Sequence, residues 1–227
     1  MTKTPMTHLI TCLLAVSSLT FCGLAQAQKA GTFSVSVGVT HIAPAVDSGT
    51  LSAPSLPNTQ VDVNSNSRIT GSLNYMLTDQ IALYLPLGLG FRHEVSGAGA
   101  IAGVGKLAET QALPITLIGQ YRFLDADARL RPYIGAGPSY VKFYQERGTG
   151  VLTALTDPGG PGTSVSFESR LAPTLQLGAS YSFSERLYVD ASYSKTFLET
   201  RATLSTGQTI DVKLNPSALT LQAGCRF

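Results

Sequence analysis

The feature that most narrows what this chain can fold into is a period of two. In residues 217–227, Ser217, Leu219, Leu221, Ala223, Cys225 and Phe227 are apolar or small, and the intervening Ala218, Thr220, Gln222, Gly224 and Arg226 are more polar. A backbone whose successive side chains meet two different environments is a β-strand. Left at a sheet edge, such a strand is a template for aggregation, so it needs a partner on each side. The same pattern recurs over residues 32–40, 66–76, 81–95, 113–123, 131–143, 169–183 and 187–200, making eight strands in all. Pairing the last strand with the first closes the set into a barrel and leaves no edge.

The two faces differ in kind. Over residues 169–183, Leu171, Pro173, Leu175, Leu177, Ala179, Tyr181 and Phe183 share one face, and Thr174, Gln176, Gly178, Ser180 and Ser182 share the other. Over residues 81–95, Ile81, Leu83, Leu85, Leu87, Leu89 and Phe91 oppose Tyr84, Pro86, Gly88, Gly90 and Arg92. The facing of residues 131–143 is ambiguous, because Gly135 and Gly137 alternate with Ala136 and Pro138. A soluble barrel would turn its larger apolar face inward. Here the inward candidates include Arg68, Arg122, Gln176, Asp190 and Arg226, poor material for a dry pocket. With the apolar face outward, Tyr75, Tyr121, Phe123, Tyr181, Phe183 and Phe227 form a belt at one end, and Phe91 and Phe197 lie towards the other.

Charge supports the membrane reading. Only 13% of the 227 residues are charged and the net charge is +2, against about 25% charged in a soluble domain. The balance offers no footprint for nucleic acid. Residues 1–27 read as a cleaved signal peptide: Lys3 and His8, an apolar stretch over residues 9–24, then Ala25-Gln26-Ala27 before Gln28. The mature barrel is then residues 28–227, with Cys225 as its single cysteine. The connections alternate between tight turns at residues 78–80, 125–129 and 184–186 and long polar loops at residues 42–63, 97–106, 144–168 and around Gly207. That asymmetry is the pattern of bacterial outer-membrane barrels, which have short periplasmic turns, long extracellular loops and an even strand count.

A set of short motifs runs in order along the chain: Tyr75-Met76-Leu77-Thr78-Asp79-Gln80-Ile81, Phe91-Arg92-His93, Leu113-Pro114-Ile115-Thr116-Leu117 and Arg131-Pro132-Tyr133-Ile134-Gly135-Ala136-Gly137 with Tyr140. Asn215-Pro216 and Ala223-Gly224-Cys225-Arg226-Phe227 complete it. With these motifs at this spacing, the chain resembles the OmpW family of small outer-membrane barrels. The resemblance implies an all-β, eight-stranded antiparallel transmembrane barrel. Its narrow, largely apolar lumen would pass small hydrophobic molecules and let them leave sideways into the outer-membrane lipid. Gly224 and Phe227 would form the closure signal presented to the barrel-assembly machinery. Two departures qualify this: Cys225 replaces the aromatic of a closing Tyr-Arg-Phe, and Pro86 and Ser194 stand where bulky apolar groups are expected.

The expected lumen lining is Tyr84, Pro86, Gly88, Arg92, Thr116, Ile118, Arg122, Asp190, Ser194, Thr196 and Leu198. Arg92, Arg122, Asp190, Lys195 and Arg226 are expected to pair as charges across it. Pro86 and Pro173 lack ladder donors and would weaken the wall. The other expected function is a closed structural or receptor-like barrel, acting in adhesion or recognition through its external loops. The Gly-rich stretch at residues 97–106 lacks the Gly and Ser/Thr of a phosphate loop at Ala100 and Leu107 and reads as a flexible external loop. His41 and His93 with Asp47 or Glu94 have no neighbouring serine in a nucleophile context. No cofactor, metal or enzymatic activity is expected.

Overall fold

The computed structural model describes residues 28–227; the expected signal peptide lies outside them. In chain order the elements are β1 (Phe33–Ala43), β2 (Asp47–Ser48), β3 (Thr59–Val63), β4 (Asn66–Met76), β5 (Ile81–Leu87), β6 (Phe91–Gly99), β7 (Lys106–Thr116), β8 (Ile118–Arg122) and β9 (Leu130–Gly148). The helix α1 (Gly150–Thr156) follows, then β10 (Val165–Phe167), β11 (Arg170–Ser182), β12 (Leu187–Thr196), β13 (Glu199–Leu204), β14 (Thr209–Lys213) and β15 (Ser217–Arg226).

Eight of these strands close a ring. Antiparallel ladders run β1–β4–β5–β8–β9–β11–β12–β15, and β15 pairs back onto β1 from Ser34↔Arg226 to Ala43↔Ser217. Beyond the ladder, the Phe33 and Phe227 backbones exchange hydrogen bonds at 3.3 and 2.8 Å. The apolar rows face outward: Val37, Ile69, Leu171, Leu177, Leu219 and Leu221 are each more than half exposed. Only a lipid solvent tolerates so much aliphatic surface on every side. Near the tight turns the exposed rings pack in pairs, Tyr121 on Phe123 and Tyr181 on Phe183, each edge to face at 5.2 Å. The facing of β9 is resolved as Arg131, Tyr133, Ser139, Val141 and Phe143 inward, with Ile134, Ala136, Pro138 and Tyr140 outward.

The long connections are more ordered than their composition implies. Residues 42–63, 144–168 and the segment through Gly207 supply a second sheet, β10-β13-β14-β2, together with β3 and α1. Thr149 caps α1, its side chain accepting from the Leu152 N–H. Val95, Ile101, Leu107, Leu152, Val165, Leu204, Ile210 and Val212 form a core between these pieces and the upper ends of β6 and β7. The expected flexible loop at residues 97–106 is corrected accordingly. β6 runs to Gly99, and buried Ile101 and Leu107 pin the connection to that core. The apolar residues in these segments lack the period of a single strand, so they read as loop until the partner segments are in place.

The expected single strand at residues 81–95 is interrupted. β5 pairs β8 only as far as Tyr84↔Ile118, and β6 pairs β7 from Phe91↔Ala112. Tyr84 to Phe91 is seven steps, whereas Ile118 back to Ala112 is six. The extra residue is accommodated around Gly88-Leu89-Gly90, and one added residue exchanges the two faces of everything beyond it. Phe91, His93 and Val95 therefore point inward and Arg92 and Glu94 outward, reversing the expected outward Phe91 and inward Arg92.

Closure also depends on a glycine. A Cβ on Gly38 would lie 2.0 Å from the Leu221 carbonyl oxygen and 2.6 Å from the Gln222 Cα, in the closing strand. Gly38→Val should therefore lower the fraction of protein with the faster gel mobility of the folded, unheated barrel; an unchanged fraction would refute the steric reading.

Candidate functional site

The lumen divides into two halves of opposite character. Its lower half, near the tight turns, is filled by polar side chains held across the barrel. Gln222 accepts from Ser36 (2.7 Å) and Ser72 (3.0 Å), and Gln120 donates to Gln176 (2.8 Å). The Arg122 guanidinium reaches Gln28 and Gln120 at 2.9 Å and Ser180 at 3.3 Å, and stacks 5.0 Å above the Tyr133 ring. The Tyr133 hydroxyl donates to Asp190 at 2.8 Å. Arg131, wholly buried, holds the carbonyls of Gln28, Asp79, Phe123 and Leu124. Arg226 lies 4.4 Å over Tyr188. Side chains on alternate positions of eight strands are enough to fill a barrel this narrow, and these close its base.

The expected charge pairing across the lumen does not form in that way. Among the described residues, the ion pairs are Lys106 with Glu94 and Glu109, Arg170 with Glu168, Arg201 with Asp211, and Lys213 with Glu199. All of these lie outside the lumen. Asp190, Arg122 and Arg226 instead meet neutral amides, hydroxyls, carbonyls and aromatic rings, and Arg122 Nε and Arg226 Nη2 are buried without a hydrogen-bond partner. Lys195 is a second correction. It falls between inward Ser194 and Thr196, so it points outward, and its Nζ donates to the Asn215 carbonyl at 2.5 Å.

Above this plug is an apolar cavity of about 150 Å³. Of the expected lining, it holds Tyr84, Pro86, Gly88, Thr116, Ile118, Ser194, Thr196 and Leu198. Arg122 and Asp190 point inward below it, in the plug, and Arg92 is outside the barrel for the reason given above. Sequence reasoning missed Phe91, His93, Val141, Phe143 and Phe167, which also line the cavity. The first two lay beyond the extra residue, Val141 and Phe143 on the strand of unclear facing, and Phe167 within an apparent loop.

The cavity extends to the barrel wall. Outward-facing Leu87 and Leu89 line it together with Leu113 and Pro114, the residues on either side of the interrupted ladder. Residues 85–90 and 113–117 form no ladder with each other, although β4 pairs the far side of residues 85–87 and β9 that of residues 113–116. Pro86 and Pro114 stand on opposite sides of this stretch, and neither carries an N–H to donate across it. Pro173, expected to act likewise, sits opposite Pro138 in an unbroken register.

A closed ring of eight strands with an aliphatic exterior, an aromatic belt and a polar-filled base defines an outer-membrane β-barrel. Comparison with known proteins agrees. The OmpW family model matches residues 29–227, and the chain belongs to the OmpW family. Outer membrane protein W of Vibrio cholerae is 30% identical over 226 residues, covering 92% of this chain and 99% of the relative. The crystal structure of the outer membrane protein OprG from Pseudomonas aeruginosa superposes with a TM-score of 0.80 at 23% identity, covering 89% of this chain and 98% of that one. The dibenzothiophene metabolism operon protein PahQ of Pseudomonas aeruginosa is 25% identical over 167 residues, covering 73% of each chain. The protein resides in the outer membrane, with its tight turns periplasmic and its long connections extracellular.

The plug carries a measurable penalty if broken. Tyr133→Phe removes the donor to buried Asp190 and should destabilise the barrel by about 1–3 kcal/mol. Denaturant unfolding in lipid vesicles is the check; wild-type stability in the variant would show that the contact contributes nothing.

Proposed function

We propose that the barrel takes small hydrophobic molecules from its extracellular mouth into the upper cavity and releases them sideways into the membrane between β5/β6 and β7/β8. The observation that carries this is the pairing of a filled base with an apolar cavity that runs to an unladdered stretch of wall. A solute in the cavity faces buried amides and guanidinium groups below, and Leu87, Leu89, Leu113 and Pro114 beside it. Apolar surface moving from water to lipid gains roughly 25 cal/mol per Å², so the side route is favoured for an apolar solute and the base route is opposed. The operon named for PahQ, dibenzothiophene metabolism, concerns an apolar aromatic and supports the same solute class.

Pro86 is the test position, since it lies on the cavity and beside the interrupted ladder. Transfer of an apolar fluorescent probe from water into the bilayer of vesicles carrying the protein should exceed that of protein-free vesicles. Pro86→Trp should bring it back to the protein-free rate, while Leu221→Trp, on the lipid face of β15, should leave it unchanged. Equal transfer in all samples would remove the conduit reading and favour the second one, a closed barrel acting through its external sheet and helix. That second reading draws on the ordered core of the extracellular part. The filled base gives an independent expectation: planar bilayers containing the protein should show no stepwise ion conductance, and regular steps would contradict it.

A further inference from the structure

Many of the polar side chains lining the cavity hydrogen-bond to one another or to the backbone, but one opposed pair keeps hydrogen-bonding capacity unused. His93 on β6 and Thr110 on β7 are directly opposed in the ladder, and both line the cavity. They are 6% and 3% exposed. Directly opposed residues in an antiparallel pair hold their Cβ atoms about 5 Å apart, so one small group can reach both side chains. The His93 Nδ1 lies 2.8 Å from the Asn64 carbonyl oxygen. A carbonyl only accepts, so the proton sits on Nδ1, and in the neutral ring Nε2 then carries a lone pair. No other described residue forms a hydrogen bond to the His93 ring. The Thr110 Oγ1 is buried with no hydrogen-bond partner at all, an arrangement that costs free energy unless something completes it.

We propose that His93 and Thr110 form a recognition site for the hydroxyl of a monohydroxylated hydrophobe, a phenol or fatty alcohol. The ligand O–H donates to His93 Nε2, and its oxygen accepts from the Thr110 hydroxyl. The apolar remainder lies against neighbours on the same wall, Phe91 and Val95 on β6 and Val141 and Phe143 on β9, which flank β7 on its two sides. An unsubstituted hydrocarbon fits the same space but leaves both polar atoms unpaired. This rests on the reading of the cavity as a site for hydrophobic molecules and specifies which of them it prefers.

The test is equilibrium binding of 2-naphthol and of naphthalene to the full barrel in nanodiscs, each corrected against empty nanodiscs. Wild-type protein should prefer 2-naphthol by on the order of tenfold beyond its lipid partitioning, the worth of two net hydrogen bonds. His93→Phe and Thr110→Val should each reduce that preference to about threefold, with naphthalene affinity retained, and Thr110→Ser should restore it. Heat-modifiable mobility identifies folded variants for the comparison. Naphthalene binding with no preference in the wild type, or with the preference intact in both variants, overturns the hydroxyl site and leaves the apolar cavity standing. Binding of neither probe overturns both.

Discussion

The backbone has no water to turn to inside a bilayer, and that requirement governs the rest of this structure. Each N–H and C=O at membrane depth must find a partner within the protein, and for strands the solution without leftovers is a ring. Here the last ladder joins β15 to β1 over ten residue pairs, and the outward aliphatic rows follow, because the surface that closure leaves bare is the surface lipid wets. Gly38 shows how little slack the joint has, since the closing backbone occupies the space a side chain would need.

Against that rule, the unladdered stretch beside Pro86 and Pro114 stands out. A strand needs its neighbour at every step, yet one extra residue in β5/β6 puts the two strands out of step for a few positions. Proline tolerates such a place because it has no donor to lose. The same extra residue turns Phe91 and His93 into the lumen and Arg92 out of it, so one local irregularity both loosens the wall and sets the chemistry of the cavity beside it. The plug below works in the opposite sense. Its arginines meet carbonyls, amides and rings, and among the described residues no ion pair lies within this filling.

Much of the barrel was legible because a period of two survives single substitutions, and eight repetitions of it leave few alternatives. Thr116, Ile118, Asp190 and Leu198 face inward as the alternation places them, since no residue is inserted between them and the strands they belong to or adjoin. The failures have separate causes. Alternation extrapolates along a strand and cannot see an inserted residue, so Phe91 and Arg92 came out on the wrong faces. The facing of β9 was hidden by small residues, and the extracellular core was hidden because its members come from segments far apart in the chain. Ile101, Leu152 and Val212 look like scattered apolar residues in polar loops until the tertiary structure brings them together.

The length of β9 has a consequence for where this protein meets the world outside the cell. Its 19 residues at about 3.4 Å each reach roughly 60 Å, and a strand tilt near 40° still leaves about 45 Å along the membrane normal, against an apolar band of about 25 Å. The rim is thus raised about 20 Å above the hydrocarbon. Whatever approaches the cavity from outside therefore meets ordered protein well before it reaches the acyl chains.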